Sequence, residues 1–290
     1  MNLVEYLARA TEYLERNGIA PARLNAEILL CHVIDISRLD IYTGFERQLT
    51  DAQSAAYKEA LVRRAGGCPL QYITGETGFR GLDLEVRPGV FIPRPETEVL
   101  VEKALEGLAA SPGAGGLSVL DLGTGCGNIA VSIAAELPDA TVIAVDSASE
   151  AVALCEANAS KAGVLERVRA RHGDLFGPLE DDASFDLIIS NPPYVPEGMR
   201  ASLPAEVRDH EPEGALFAGP EGLDVIRRIV DGAGSRLAVG GLLALEVDES
   251  HADVVAGELA AAGWSQVEVF EDLAGRQRVV RARKPERKCL

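Results

Sequence analysis

The alternation of short apolar strands and helical segments after about residue 95 constrains the fold more than any other feature of the sequence. Runs rich in Val, Ile and Leu occupy residues 118–122, 141–145, 185–190 and 242–247. Helical segments follow these runs and begin near Asn128, Ser149, Gly222 and Ser250. Because strands joined by helices pair in parallel, the pattern predicts an α/β sheet with helices on both faces. Two later runs, 267–270 and 278–282, have no helix between them and predict an antiparallel hairpin at the end of the sheet.

The first 68 residues have a helical pattern instead. Apolar side chains recur at helical spacing from Leu3 to Leu14, and another helix is predicted over residues 50–65, with Thr50 as its N-cap and Gln53 at the capping-box position. Residues 72–86 alternate around glycines, which is typical of a β-hairpin. We therefore predict three parts: a helical bundle over 1–68, a hairpin linker over 69–92, and an α/β domain over 93–290.

Net charge, cysteine content and the length of apolar runs indicate which kinds of binding partner to expect. The chain carries 28 basic and 45 acidic residues, for a formal net charge of -17, so we expect no stable binding of nucleic acid. Its five cysteines form no Cys-x-x-Cys pair, which disfavours a zinc cage and a disulfide framework, and its four histidines are scattered. No apolar run approaches the ~18 residues of a membrane span. We expect a cytoplasmic protein with no metal and no membrane partner.

The strand over 118–122 runs directly into a glycine-rich loop that consists of Gly123, Thr124, Gly125, Cys126 and Gly127. Glycines let the backbone turn sharply and let a ligand approach closely. The spacing differs from the Gly-x-Gly-x-x-Gly dinucleotide pattern and lacks the Lys-Ser/Thr ending of a phosphate loop, so a pyrophosphate is not indicated. Taken alone, such a loop is as readily a structural turn as a ligand site.

Acidic residues follow two further strands. Asp146 closes one of them, where a carboxylate can accept two hydrogen bonds from ribose hydroxyls, although a carboxylate at a strand end is often a helix cap. Asp174 follows another, where it can accept a hydrogen bond from the exocyclic amine of adenine while Leu175 packs against the ring. Together with the glycine loop, these residues predict a site for an adenosine that carries no phosphate.

The strand over 185–190 ends in the tetrapeptide Asn191-Pro192-Pro193-Tyr194. The two prolines fix the chain and remove two N–H donors, so the segment presents acceptors at the sheet edge where ligands bind. The Asn191 side-chain oxygen and the Pro192 carbonyl can accept both hydrogens of a planar NH2 group and aim its nitrogen at a methyl group. The Tyr194 ring would pack on the flat face of that group. The structural alternative is a turn with Asn191 as a local cap.

Several sequence segments resemble known methyltransferases. DLGTGCGN (121–128) and NPPY (191–194) resemble the class I S-adenosylmethionine-dependent methyltransferases that modify planar amino groups in nucleic acids or proteins. Further segments, spread over nearly the whole chain, resemble the HemK/PrmC family. They are QYITG (71–75), FIPRPETE (91–98), GDLF (173–176), EVRDHEP (206–212), ALFAG (215–219), GLD (222–224) and DLAGR (272–276). Asp248 and Cys126 depart from the family pattern, and we interpret Cys126 as a packing residue. Arg94 and Glu96 could form a functional pair near the cofactor or an ion pair that pins the linker to the domain, and we favour the ion pair.

The resemblance implies a class I Rossmann-like methyltransferase domain, preceded by a small all-α domain that helps to bind a protein substrate. It implies transfer of a methyl group from S-adenosylmethionine, leaving S-adenosylhomocysteine, to the glutamine of the Gly-Gly-Gln tripeptide in bacterial class-1 peptide chain release factors. Gly123 to Gly127, Asp146 and Leu175 would contact the cofactor, to which we add Asp174 and Asn191. Asn191, Pro192, Pro193 and Tyr194 would hold the glutamine, and Asn191, Pro192 and Tyr194 would be catalytic.

Three alternatives remain open. The protein could methylate another protein glutamine, such as one in a ribosomal protein. It could be an adenine-N6 DNA methyltransferase, which the acidic charge and the lack of a basic target-recognition region disfavour. It could also be a cofactor-binding protein with an inactive site, which the intact Asn-Pro-Pro-Tyr sequence disfavours.

Overall fold

The computed structural model describes residues 2–44, 46–109 and 116–284, which form two compact units. The first unit contains the described residues up to Glu76 together with Pro204–His210, and the second contains the rest. The predicted domain boundaries after residues 68 and 92 stay predictions. The end of the predicted α/β domain, from residue 285 onward, lies outside the described residues and includes Cys289.

Five helices precede Glu76 in the described part of the first unit and share one apolar core. They are α1 (Leu3–Arg16), α2 (Ala22–Ile34), α3 (Arg38–Thr43), α4 (Asp51–Ala65) and α5 (Leu70–Thr74). The predicted capping box opens α4, because the Gln53 N–H donates to Thr50 Oγ1 at 3.2 Å and the Thr50 N–H donates to Gln53 Oε1 at 3.1 Å. Leu7, Leu29 and Tyr57 are buried between these helices. The predicted N-terminal all-α region is confirmed.

The β-hairpin is shorter than the sequence predicted over 72–86. Its strands are β1 (Glu76–Phe79) and β2 (Leu82–Glu85), whereas residues 72–74 belong to α5. Pro69 stands before the first turn of α5, and Gly75 ends the helix in the left-handed conformation with φ of 78°. Tyr72 and Ile73 are adjacent and both buried, which a short helix packed against α2 and α4 allows and a strand with one exposed face does not.

The second unit contains the predicted sheet. Its strands are β3 (Ser118–Leu122), β4 (Thr141–Asp146), β5 (Val168–His172), β6 (Phe185–Ser190), β7 (Leu237–Glu246), β8 (Ser265–Glu271) and β9 (Gln277–Arg283). The spatial order is β5-β4-β3-β6-β7-β9-β8; the first five are parallel, and β9 is antiparallel to both β7 and β8. The mostly parallel sheet with a C-terminal antiparallel hairpin is therefore confirmed. β7 begins at Leu237 rather than at 242, because Leu237 already pairs with Phe185 of β6, and a register shift separates this pair from the pairing that continues at Leu242.

Helices cover both faces of this sheet, as the alternation predicts. They are α6 (Pro95–Ala109), α7 (Asn128–Glu136), α8 (Ser149–Lys161), α10 (Asp224–Arg236) and α11 (Ala252–Ala261), while α9 (Ala205–His210) belongs to the first unit. Val119 packs with α6, α7 and α8 in one apolar cluster, and its neighbour Leu120 packs with α10 and α11 in another. This alternation along β3 fits a strand buried on both faces.

The carboxyl ends of β3, β4, β6 and β7 meet at one edge of the sheet, because these strands are parallel neighbours. Open α/β sheets bind their ligands at this edge. No helix among the described residues is both long and apolar enough to cross a membrane. Within the same residues, no group of three or more His, Cys, Asp or Glu side chains is arranged to hold a metal ion.

Candidate active site

The glycine loop between β3 and α7 contains three left-handed glycines with different surroundings. Gly123, Gly125 and Gly127 have φ of 71°, 56° and 85°. A Cβ atom at Gly127 would lie 2.7 Å from Cys155 Sγ, so this glycine is required by packing against α8. A Cβ atom at Gly125 would meet nothing within 4 Å, so the backbone there borders open space. Gly125 therefore leaves room for a ligand, whereas Gly127 does not.

The other two residues of the loop turn their side chains inward. Thr124 is buried and donates its hydroxyl to Asp121 Oδ2 at 2.6 Å. Cys126 is buried in the apolar cluster beneath the loop, and burial raises the pKa of its thiol to about 12. Thr124 and Cys126 consequently offer a ligand only their backbone atoms.

Asp121 is a buried carboxylate at the end of β3. Its Oδ2 atom accepts hydrogen bonds from the Thr124 hydroxyl and from the Ala130 N–H at 3.2 Å. Its Oδ1 atom has no hydrogen-bond partner among the described residues. Burial raises the pKa of Asp121 to about 7. A buried acceptor without a partner next to a glycine loop is suited to a donor that comes from a ligand.

Asp146 braces the loop from β4. Its Oδ2 atom accepts from the Gly125 N–H at 2.9 Å, and its Oδ1 atom accepts from the Ala148 N–H at 2.9 Å. These bonds brace the turn between β4 and α8, but no side-chain hydrogen bond caps α8, so Asp146 does not have the helix-cap role considered for a strand-end carboxylate. Each carboxylate oxygen can accept more than one hydrogen bond, so the side chain also retains capacity for ribose hydroxyls.

Asp174 and Leu175 follow β5 at the same edge of the sheet. Asp174 is exposed and forms an ion pair with Arg228 of α10. Leu175 is half-buried and has a left-handed backbone with φ of 46°, which is unusual for a residue other than glycine. Strained residues of this kind concentrate at functional sites, where the surrounding structure holds them.

The Asn191–Tyr194 tetrapeptide lies beside the glycine loop. Ser190, its predecessor at the end of β6, donates its hydroxyl to the Leu122 carbonyl of β3 at 2.6 Å. A Cβ atom at Gly123 would lie 3.9 Å from the Asn191 carbonyl oxygen. Pro192 is buried and Pro193 half-buried. The structure therefore brings together the loop and the tetrapeptide that the sequence singled out separately.

A chain of hydrogen bonds links two residues of the tetrapeptide through buried groups. Asn191 Nδ2 donates to Thr97 Oγ1 at 3.0 Å, and the Thr97 hydroxyl donates to Glu246 Oε2 at 2.7 Å. On the other side, the Tyr194 hydroxyl donates to Glu246 Oε1 at 3.4 Å. Burial raises the pKa of Glu246 to about 7 and holds the pKa of Tyr194 above its ordinary value. We call Asn191, Thr97, Glu246 and Tyr194 the asparagine network.

Two further residues singled out in the sequence, Arg94 and Asp248, form ion pairs. The predicted ion pair of Arg94 with Glu96 is wrong: Arg94 pairs with Glu211 and lies over the Phe91 ring at 4.8 Å. Glu211 is distant in sequence, so local spacing could not reveal it. Asp248 accepts from the Ser250 hydroxyl at 2.6 Å and forms an ion pair with Arg278 at 3.3 Å, which orders the loop after β7.

Comparison with known proteins identifies the family. Two family models match: the PrmC N-terminal domain over residues 5–75 and the methyltransferase small domain over residues 95–205. The release factor glutamine methyltransferase of Koribacter versatilis is 40% identical over 285 residues, covering 98% of this chain and 99% of the relative. That of Deinococcus radiodurans is 42% identical over 287 residues, with the same coverage. This chain belongs to the release factor glutamine methyltransferase family.

Solved methyltransferase structures have a fold similar to that of this chain. A methyltransferase from Pyrococcus furiosus has a TM-score of 0.51 at 21% identity and covers 71% of this chain and 90% of its own. A 16S rRNA methyltransferase of T. thermophilus, solved with AdoMet and guanosine, has a TM-score of 0.53 at 23% identity and covers 72% of this chain and 49% of its own. The predicted class I methyltransferase fold is confirmed, and the family membership makes the protein an enzyme.

Three buried polar residues at the candidate site were not predicted from the sequence. They are Thr97, Asp121 and Glu246, each at most 1% exposed. A usable signal was present for Glu246, because it is a single acidic residue at the end of an otherwise apolar strand, where an unpaired charge would be unfavourable. Thr97 gave no comparable signal, since threonine is common in the first turn of a helix.

Proposed function

We propose that this protein transfers a methyl group from S-adenosylmethionine to the side-chain amide nitrogen of the Gly-Gly-Gln glutamine in bacterial class-1 peptide chain release factors. The observation that carries the proposal is the orientation of Asn191, whose Nδ2 is engaged by Thr97. Its Oδ1 is thereby left to accept a hydrogen from an amide group. The names of relatives that match nearly the whole chain support the choice of substrate.

The loop and its neighbours fit a nucleoside cofactor. The backbone of Gly123, Thr124, Gly125, Cys126 and Gly127 would line it, and the open space in front of Gly125 leaves room for it. Asp146 would accept the ribose hydroxyls, Asp174 and Leu175 would contact the adenine, and Asn191 would stand next to the reacting end. The unpartnered Asp121 Oδ1 would accept a hydrogen bond from the cofactor. S-adenosylmethionine supplies an electrophilic methyl group on a sulfonium, and S-adenosylhomocysteine is the product.

The tetrapeptide would hold the amide nitrogen of the substrate in the orientation that it needs to attack a methyl group. The lone pair of a planar amide is delocalised, so the nitrogen attacks only if it is held in line with the methyl group. Asn191 Oδ1 and the Pro192 carbonyl would accept its two hydrogens, and Pro193 would fix the direction of the chain. The Tyr194 ring would cover the flat face of the amide. As the N–CH3 bond would form and the S–CH3 bond break, the hydrogens of the nitrogen would become more acidic and both acceptor bonds would strengthen, which favours the transition state. The methylated nitrogen would then release one of its two protons to solvent.

The first 68 residues would help to bind the release factor, in agreement with their match to the PrmC N-terminal domain. We expect no stable nucleic acid binding, because the chain has a formal net charge of -17. Free thiols at all four described cysteines are compatible with the proposed cytoplasmic location.

Intact-mass spectrometry tests the proposal. The purified protein is incubated with S-adenosylmethionine and the release factors of its own organism, with a glutamine-to-alanine release factor as the matched control. We expect one added methyl on each native factor and none on the control. Parallel incubations with ribosomal proteins and with duplex DNA test the alternatives. Methylation of either in place of the release factors would refute the proposal.

A further inference from the structure

The asparagine network contains two residues that do not touch the proposed substrate. Thr97 lies in the first turn of α6, and Glu246 ends β7, 149 residues later. Both are only 1% exposed, and they contact each other through a 2.7 Å hydrogen bond. Within the described part of the chain, no hydrogen-bond donor reaches Asn191 Oδ1. The network therefore holds the nitrogen end of the Asn191 amide and leaves its oxygen end for a ligand.

The number of available protons determines which end of the amide faces Thr97. An ionised carboxylate accepts hydrogen bonds and donates none, so ionised Glu246 requires the single hydroxyl proton of Thr97. Thr97 can then only accept from Asn191, and the Asn191 atom that faces it must be Nδ2. Asn191 Oδ1 then points away from Thr97, because the two ends of an amide point in different directions.

We propose that Thr97 and ionised Glu246 are positioning residues that fix the Asn191 amide with its oxygen toward the substrate nitrogen. The inference rests on the proposed function, since the substrate nitrogen is that of an amide that must donate to Asn191. Neither residue takes part in bond making. Their effect is to keep an acceptor, rather than a competing donor, at the reacting nitrogen.

Protonation of Glu246 removes this constraint. A protonated carboxyl can donate to Thr97 Oγ1, which frees the Thr97 hydroxyl to donate to Asn191 Oδ1 and lets the amide turn its Nδ2 toward the substrate. Two NH2 groups would then face each other, and productive binding would be lost. The same protein would thus exchange an active amide orientation for an inactive one as the pH falls.

Charged groups on the surrounding elements influence this protonation. Burial raises the pKa of Glu246 to about 7, and Glu96 on α6 acts in the same direction. The hydrogen bond from Thr97, Arg278 on β9 and the Tyr194 hydroxyl oppose the rise. Asp248 also pairs with Arg278, at 3.3 Å. Burial is the largest of these effects, so the pKa of Glu246 stays at about 7.

Substitution of Thr97 tests the positioning role in the full-length enzyme. Thr97→Val keeps the shape but removes the hydroxyl, and Thr97→Ser keeps the hydroxyl as the matched control. With release factor as substrate, we expect Thr97→Val to lower kcat by about a hundredfold and Thr97→Ser to restore it to within about threefold of wild type. Cofactor Kd, measured by calorimetry, should be unchanged in both. Activity of Thr97→Val within about threefold of wild type would overturn the inference.

Glu246→Gln tests the titration. Its amide does not ionise, so the fall in kcat/KM between about pH 8 and about pH 6 that we expect for wild type should be absent, whichever way the new amide points. A fall of the same size in Glu246→Gln would overturn the role of Glu246.

A second measurement is independent of the methylation assay. The side-chain NH2 resonance of Asn191 in 15N-labelled wild-type enzyme, assigned with Asn191→Ala, should shift with a midpoint near pH 7 and stay constant in Glu246→Gln. A resonance that shifts identically in both proteins would refute the inference. If this signal behaves as expected while no release factor is methylated, the proposed function fails and the network stands.

Discussion

Replacing Gly125 and Gly127 with alanine one at a time separates the two reasons for which the loop needs glycine. Both residues have positive φ, so alanine costs about 1–2 kcal/mol of folding free energy at either position. At Gly125 nothing lies within 4 Å of the new Cβ, so no further loss of stability is expected. That Cβ instead occupies the space in front of the loop, and we expect Gly125→Ala to weaken cofactor binding by at least about tenfold.

Gly127→Ala is the matched variant. Its Cβ would lie 2.7 Å from Cys155 Sγ and 3.1 Å from Cys155 Cα, which adds an overpacking term of about 1–3 kcal/mol. The total loss is then about 2–5 kcal/mol. Cys155→Ala removes the nearer atom, so in the double variant part of this loss should be recovered, as a non-additive term in a double-mutant cycle.

Urea unfolding measures the free energy of unfolding of each variant, and titration calorimetry measures its affinity for S-adenosylmethionine. The expected pattern is a stable Gly125→Ala protein that binds the cofactor poorly, and a clearly less stable Gly127→Ala protein. Wild-type affinity in Gly125→Ala would refute the assignment of the ligand space. Equal stability of the two variants would refute the packing argument.

Three further outcomes follow from buried polar groups. The folded protein binds the Glu246 proton more tightly than the unfolded chain, so its contribution to stability falls as pH rises from the ordinary glutamate range through about 7. Scanning calorimetry should therefore show that the melting temperature of Glu246→Gln, relative to that of wild type, rises between about pH 5 and about pH 8. A difference in melting temperature that does not change with pH would contradict the raised pKa of Glu246. Iodoacetamide at neutral pH should modify Cys68 much faster than Cys126, because Cys126 is buried and burial raises the pKa of its thiol to about 12. Equal labelling of the two cysteines in the folded protein would contradict this expectation. Arg64→Met should destabilise the first unit by about 2–4 kcal/mol in urea unfolding, since Arg64 donates to the Asn25 side chain, the Cys68 carbonyl and Glu206, and a loss below about 0.5 kcal/mol would count against it.

The parts of the fold that the sequence predicted best are those with sharp local signals. β3 and β6 have the predicted bounds, because an apolar run ends at a glycine loop in one case and at Asn-Pro-Pro in the other. The capping box at the start of α4 was predicted from two residues alone. By contrast, α5 has only five residues, and its packing against α2 and α4 stabilises it more than any local preference.

The parts of the candidate site that the sequence singled out each form one continuous segment. The glycine loop and the tetrapeptide are of this kind, and parallel pairing of β3 with β6 brings them together. The asparagine network was not predictable, because Thr97 and Glu246 become neighbours only when α6 packs across the sheet. The pairing of Arg94 with Glu211 was not predicted because the two residues are 117 positions apart in sequence. Sequence spacing says little about such distant polar pairs.

Peptide mapping by tandem mass spectrometry tests the central claim most directly. The native release factor is incubated with wild-type enzyme or with Asn191→Ala, and with S-adenosylmethionine that carries an isotopically labelled methyl group. We predict label on the side-chain amide of the Gly-Gly-Gln glutamine with the wild type, and loss of at least about 99% of it with Asn191→Ala. Label at another residue, or unchanged labelling by Asn191→Ala, would contradict the account.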